Sequence, residues 1–379
     1  MQTNNFLLAL LFGCSSALAQ GPVPGQPIAQ IPAPIQVPAQ KPLIIKSNDP
    51  RLHYMGRIMH NDSAAILSWP ATSVDINFTG PGAKVLLRDE KGDNYYNIIV
   101  DGRVAGVIHP DRSMRLYTLA SGLPAGRHHL ELFKRTESLM GTTWLYQFEF
   151  ERNTIIAPAT PVKKRKIEFF ANSIACGYAV EDSTGKDRGT SPYENAYISY
   201  PAITARHFNA ELCSTSKTGI GITVSWFPMV MQEMYDRWDA ADPNNKWDFS
   251  KYRPGLVVIN LFQNDSWLVK MPDNEQFKAR FGTSAPSADQ IVNAYQAFLR
   301  LVRGKYPEAK IVCALGNMDA TRTGAPWPGY IEKAVSGLHD KHIYTHFFTY
   351  KNTPGHPSAR EQQLMASDLI AYIEKNIEW

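Results

Sequence analysis

The chain changes its pattern near residue 160, and that change limits the fold more than any other feature. Before it, Gly and Pro cut the sequence into short segments of alternating polarity; after it, apolar runs alternate with stretches of helical period. A two-residue period marks strands with one buried face, whereas strands interleaved with helices mark a parallel sheet covered on both sides. One layer architecture cannot satisfy both halves. The length of 379 residues leaves room for two units.

In the first half, strands are predicted at 65–69, 73–78, 83–87, 95–100, 103–108, 115–119, 126–134 and 144–151. Asp101-Gly102 between two of them is the two-residue signature of a type I′ hairpin. About eight short strands at this spacing predict a β-sandwich of jelly-roll type over 44–158. In the second half, strands are predicted at 167–170, 256–261, 311–315 and 343–348, with helices at 200–208, 229–238, 287–306, 328–339 and 358–377. Ser287-x-x-Gln290 and Ser358-x-x-Glu361 are capping boxes. The expected unit is a three-layer α/β/α fold with a parallel sheet over 159–379.

The N-terminus reads as a targeting segment. Phe6 to Phe12 is too short an apolar run to span a bilayer, and Ala17-Leu18-Ala19 has the small-x-small pattern of a cleavage site. A signal peptide is therefore expected over 1–19, and the protein is expected to be secreted or periplasmic. Lipid attachment at Cys14 is the competing reading, and Phe12 stands where a lipoprotein signal usually has a small residue. Seven of the 26 prolines fall between Pro22 and Pro42, so 20–43 is predicted to be an extended spacer. No later stretch reaches the roughly 18 apolar residues of a transmembrane helix.

Composition excludes several classes. With 44% hydrophobic and 20% charged residues the chain is of globular type, and a net charge of +4 gives no electrostatic footprint for nucleic acid. Beyond Cys14 there are three cysteines, Cys176, Cys213 and Cys313, too widely spaced for a zinc motif or a disulfide framework. They are compatible with one bridge and a free thiol, or with three buried thiols.

In a sheet of this kind the chemistry lies beyond the C-terminal ends of the strands. Those ends carry Ala171-Asn172-Ser173, then Phe262-Gln263-Asn264-Asp265, and finally the loop from Tyr350 to His356. A hydroxyl, a base and neutral hydrogen-bond donors on one edge are what acyl transfer requires. Singly, each has an ordinary explanation as a cap, a loop stabiliser or a packed side chain. Together they predict a hydrolytic site.

The segment Phe169-Phe170-Ala171-Asn172-Ser173-Ile174-Ala175-Cys176-Gly177-Tyr178 resembles the first block of SGNH (GDSL-type) hydrolases, with consensus near FIGDSITCGYG. More closely, the chain resembles carbohydrate esterase family 2, the two-domain acetyl xylan esterases. Asn94-Tyr95-Tyr96, Val100-Asp101-Gly102 and Lys134-Arg135-Thr136-Glu137 are similar to that family's jelly-roll segment; Thr218-Gly219-Ile220-Gly221, Asn264-Asp265 and His356-Pro357-Ser358 are similar to its later hydrolase blocks. The resemblance implies Ser173 as nucleophile and His356 as general base. It implies an oxyanion hole formed by the Ser173 N–H, the Gly219 N–H and the Asn264 side chain. It also implies an acetylated polysaccharide or oligosaccharide as substrate; the chemistry requires no metal or other cofactor, and the protein is expected to be a monomer. A catalytically silent carbohydrate binder is the alternative from another class, and pectin or peptidoglycan are alternative polymers.

The chain departs from the family pattern in three places. Ala171-Asn172 replaces Gly-Asp, Phe262-Gln263 replaces Gly-Thr, and Thr353 stands where many SGNH enzymes carry Asp three residues before the His. The last change predicts a Ser-His dyad in which a backbone carbonyl orients the ring. Ala171 is expected to be strained if φ is positive there. Trp226 and Trp267, next to the Gly219 and Asn264 blocks, are candidates for stacking on a sugar, or else for packing at the rim.

Overall fold

Twelve short strands occupy the first third of the described region, residues 41–379 of this computed structural model. In chain order β1 to β12 are Leu43–Lys46, His53–Met55, Ile58–His60, Ala65–Leu67, Ser73–Thr79, Ala83–Asp89, Tyr96–Val100, Arg103–Ile108, Arg115–Ala120, Arg127–Lys134, Thr143–Phe150 and Ile155–Ile156. They form two antiparallel sheets, one in the order β3-β4-β11-β6-β9 with β1 beside β11, the other β12-β5-β10-β7-β8 with β2 beside β5. The alternation in β6 is nearly ideal, with Ala83, Val85, Leu87 and Asp89 buried and Lys84 and Arg88 exposed. Val74, Ile76, Phe78, Val85, Leu87, Leu130, Leu132 and Phe148 pack between the sheets. At the β7–β8 turn Asp101 and Gly102 have φ of 50° and 77°, the left-handed pair that a type I′ turn requires.

The second half holds a five-stranded parallel sheet of β13 (Arg165–Ala171), β14 (Ala210–Ser216), β15 (Leu256–Asn260), β16 (Lys310–Leu315) and β17 (Ile343–Phe347), ordered β14-β13-β15-β16-β17. Eight helices accompany it among the described residues: α1 Ser173–Cys176, α2 Tyr200–His207, α3 Met231–Met234, α4 Gln263–Leu268, α5 Glu275–Phe281, α6 Ala288–Lys305, α7 Trp327–Ser336 and α8 Ala359–Asn376. The capping boxes at Ser287 and Ser358 start α6 and α8 as the sequence predicts. One face of the sheet packs on α6 and α7 through Tyr295, Phe298 and Ile331, the other on α2 and α8 through Ala202, Leu369 and Ile373.

The sequence reading covers β4 to β11 of the sandwich and leaves out β1, β2, β3, β12, β14, α1, α4 and α5; β14 and the helix expected at 229–238 show why. β14 has no apolar signature, yet all seven of its residues are buried, because its polar groups find partners: Thr215 donates to Glu168 at 2.9 Å and the Ser214 and Ser216 hydroxyls lie 3.0 Å apart. The helix expected at 229–238 is only the single turn α3. Beyond it the Arg57 guanidinium takes the carbonyls of Tyr235 and Arg237 at 2.6 and 2.7 Å, and the Trp247 N–H takes that of Asp236 at 2.7 Å. The chain turns there instead of continuing its helix.

Buried polar contacts join the sandwich to the parallel sheet, and residues 40–379 form one compact unit. Arg57, fully buried, also donates to Glu168 at 2.7 Å in the centre of β13. His53 lies between Asp75 at 2.6 Å and Glu211 at 3.3 Å. Burial opposes its charge, but the bonds its ring donates to the Asp75 and Glu211 carboxylates outweigh burial and raise its pKa to about 10. Cys176, Cys213 and Cys313 are separate buried thiols. Among the described residues no helix is long and apolar enough to cross a membrane. The signal segment and most of the spacer read from the sequence lie outside the described residues.

Candidate active site

The loops after β13, β14, β15 and β17 converge on one edge of the sheet. Ser173 opens α1 directly after β13, with Asn172 as N-cap accepting from the Ile174 N–H at 3.1 Å. The Ser173 N–H is thus one of the unpaired donors of a helix start. Its Oγ lies 2.9 Å from His356 Nε2, across 183 residues of sequence.

A carboxylate, rather than a backbone carbonyl, holds the other side of the imidazole. Asp187 Oδ2 and Oδ1 lie 2.9 and 3.0 Å from His356 Nδ1, and Oδ1 also accepts the His356 backbone N–H at 2.8 Å. An ionised carboxylate only accepts, so Nδ1 carries the proton and Nε2 is free to accept from Ser173. Burial alone would raise the Asp187 carboxyl, yet the bonds from the His356 ring and backbone bring it below the usual range. The sequence reading missed this residue and expected a dyad. Asp187 sits in a polar loop after α1 where Asp182 is equally eligible, and no motif spacing separates them. Asp182 instead pairs with Arg188 at 2.7 Å.

The packing around the pair is close. Asp187 itself is left-handed, with φ 57°, a conformation that Asp tolerates better than most residues. Gly355, with φ +67°, passes so near that an added Cβ would lie 2.9 Å from Asp187 Cγ. The Tyr178 ring lies 4.3 Å from the His356 ring, centroid to centroid. Thr353 faces away from this arrangement: Lys351 Nζ donates to its hydroxyl at 2.7 Å and to the carbonyls of Thr353 and Pro354 at 2.8 and 3.0 Å. That position braces the loop carrying His356.

Gly219 lies in the loop after β14. The Ile220 N–H donates to the Lys217 carbonyl at 3.3 Å around a Gly219 of φ +82°, which gives the turn its type II character. Neighbouring N–H groups are all engaged: Lys217 with the Ala171 carbonyl, Thr218 with Glu137, Gly221 with the Ser225 hydroxyl, and Ile222, Thr223 and Val224 with Asp265. Among the described residues the Gly219 N–H is the one donor of this run left without an acceptor.

Asn264, in the first turn of α4, is buried and held at both ends of its amide. Its Oδ1 accepts from Trp226 Nε1 at 3.1 Å and its Nδ2 donates to the Ile220 carbonyl at 2.8 Å. One Nδ2 hydrogen remains available. Trp226 thus orients Asn264 while the residue stays 45% exposed. Trp267 lines a cleft of about 450 Å³ next to His356, with Asp319, Arg322 and Tyr350, and donates from Nε1 to Asp319 Oδ2 at 3.0 Å.

Strain falls on Phe262 and not on Ala171, which continues β13 in extended form. Phe262 has φ +82° where the resemblance places Gly. Such a backbone costs about 1–3 kcal/mol. The ring offsets it by full burial, 4.8 Å from Tyr295 and 5.1 Å from Trp327 between centroids.

Comparisons with known proteins bear on this arrangement. A family model described as carbohydrate esterase 2 N-terminal matches residues 54–159. The cellulase/esterase CelE of Acetivibrio thermocellus is 32% identical over 352 residues, which cover 88% of this chain and 40% of that protein. The chain therefore spans less than half the length of CelE. An acetylxylan esterase / glucomannan deacetylase of Cellvibrio japonicus is 24% identical over 345 residues, 88% of this chain and 91% of its own. The solved structure of a family two carbohydrate esterase from Clostridium thermocellum in complex with cellohexaose matches at 32% identity and a TM-score of 0.76, over 86% of this chain and 98% of that one. A match of that identity across both the sandwich and the parallel sheet identifies the chain as a member of carbohydrate esterase family 2.

Proposed function

We propose that the protein is a serine esterase that removes O-acetyl groups from a plant-type polysaccharide such as xylan or glucomannan. The observation that carries this reading is the continuous hydrogen-bonded line Asp187–His356–Ser173, on the sheet edge that also carries the loop of Gly219. In this mechanism His356 Nε2 takes the Ser173 proton as Oγ attacks the acetyl carbonyl. The oxyanion is received by the Ser173 and Gly219 N–H groups and the free hydrogen of Asn264 Nδ2. Asp187 stabilises the imidazolium, which then protonates the departing sugar oxygen. Water activated by the same His releases acetate from the acetyl-enzyme, so the side chains of this chain supply every proton transfer. The relatives' names, acetylxylan esterase and glucomannan deacetylase, support the choice of polymer. Trp267 and the exposed Trp226 are assigned to the rim that meets the sugar. The segment 1–19 is assigned to export, 44–158 to a β-sandwich domain and 159–379 to a hydrolase domain.

Acetate release from acetylated xylan, glucomannan, pectin and peptidoglycan tests the proposal. Release from xylan or glucomannan ahead of the other two is expected. Saccharide binding without turnover by the wild type would overturn the esterase reading in favour of a silent binder, and preference for pectin or peptidoglycan would overturn the choice of polymer.

A further inference from the structure

Glu137 belongs to the sandwich, just after β10, yet its side chain reaches across to the β14 loop. It is completely buried, and its Oε2 accepts the Thr218 N–H at 2.8 Å. Glu194, from the segment before α2, holds it from behind: Glu194 Oε1 accepts the Glu137 backbone N–H at 2.6 Å. A carboxylate oxygen from each of the two, and the sulfur of Cys176 on α1, lie within 4.8 Å of one another. Lys134 Nζ, also buried, closes the group by donating to the Thr136 and Glu137 carbonyls at 2.7 and 3.4 Å.

Burial pushes Glu194 well above the ordinary carboxyl range, with the Glu137 charge adding to it. Burial also raises Glu137, while Lys217 and the Thr218 bond oppose the rise. Two cations, Lys134 and Lys217, face the group and make it a poor cation site.

Thr218 is the residue before Gly219, so the bond acts on the turn that presents the unpaired Gly219 N–H. Types I and II of this turn differ by a flip of the central Thr218–Gly219 peptide, which reverses the direction of that N–H. The preceding Lys217–Thr218 peptide points the same way in both types, so the Glu137 bond does not choose between them; it anchors the turn as a body to the sandwich and so sets where the Gly219 N–H sits. We propose that Glu137 is a positioning residue for the oxyanion donor at Gly219, so that the sandwich supplies part of the machinery of hydrolysis. This inference rests on the esterase reading above.

The test compares Glu137→Gln, Glu137→Asp and Glu137→Ala with the wild type in acetate release from 4-nitrophenyl acetate and from acetylated xylan, below the onset of thermal unfolding for each. Gln keeps an acceptor at the same reach without charge. Asp keeps the charge but is one methylene shorter. Positioning predicts a kcat for the Gln variant close to wild type and a fall of about 10- to 100-fold for Asp and Ala, with KM little changed, since full loss of an oxyanion donor costs about 100- to 1,000-fold. Affinity for phenylboronic acid, whose serine adduct places an oxygen in the same hole, should fall in parallel with kcat. A wild-type kcat in the Asp variant, or a fall in kcat without any loss of boronate affinity, overturns the inference. If Ala fails to fold, the order of Gln and Asp still decides. A wild type that releases no acetate from any substrate refutes the esterase reading itself, a result distinct from any ordering among the variants.

Discussion

Replacing Asp187 by Asn changes one atom and should nearly silence the enzyme. The carboxylate makes two contacts of 2.9 and 3.0 Å to His356 Nδ1 and one of 2.8 Å to its backbone N–H. An Asn amide turned with Nδ2 toward the ring would meet Nδ1–H with a donor. The imidazole would then shift its proton to Nε2, where it faces Ser173 Oγ and cannot act as base. In the buried Asp of a Ser-His-Asp triad the same substitution costs about 10,000-fold in kcat. Asp187 is 32% exposed, so water shares its work. We therefore expect a loss of about 1,000-fold, or about 4 kcal/mol at about 1.4 kcal/mol per decade. The assay is steady-state release of 4-nitrophenol and of acetate, with thermal unfolding as a control for folding. KM should stay close to that of the wild type. A kcat within about threefold of wild type would refute the reasoning, because the ring would then have an equivalent acceptor elsewhere.

Three further outcomes follow from the same geometry. Arg57→Ala leaves Glu168 buried without its cation at the centre of the sheet, and should destabilise by about 3–5 kcal/mol in urea unfolding; a loss under about 1 kcal/mol would show that the pair carries no such weight. Trp226→Phe removes the donor to Asn264 Oδ1 and should lower kcat by about tenfold more than it raises KM if Asn264 acts on the oxyanion as proposed; a change confined to KM would make Trp226 a sugar platform alone. His53, raised to about 10, contributes a stability that is full below its ordinary pKa and is lost as pH rises through about 10. The stability difference between wild type and His53→Gln should accordingly be largest below about pH 6.5 and shrink toward pH 10, and a difference that grows with pH would reverse the assignment.

Strands β4 to β11 of the sandwich and the edge carrying Ser173, Asn264 and His356 were legible because each depends on local pattern: two-residue alternation, Asp-Gly at a turn, apolar runs before polar loops. Elements held by long-range polar contacts were not. β14 carries Glu211, Ser214, Thr215 and Ser216, and only their partners in β13 and the sandwich make it a strand. The end of α3 is set by Arg57, nearly 180 residues away, which takes the carbonyls the helix would have used. Asp187 was invisible for the same reason, since its left-handed backbone and its approach to Gly355 exist only in three dimensions. The family resemblance located Gly219 but not why its N–H is free, which depends on Glu137, Asp265 and Ser225 taking the donors around it.

The central claim is that Ser173 carries the acetyl group between polysaccharide and water. Rapid acid quench during turnover of 4-nitrophenyl acetate, followed by peptide mass spectrometry, reads this directly. The account predicts one acetyl group on the peptide containing Ser173, accumulating to higher occupancy in Asp187→Asn if deacetylation is the step slowed more, and absent in Ser173→Ala together with turnover. Turnover that persists in Ser173→Ala, or an acetyl group trapped on a different residue, would contradict it.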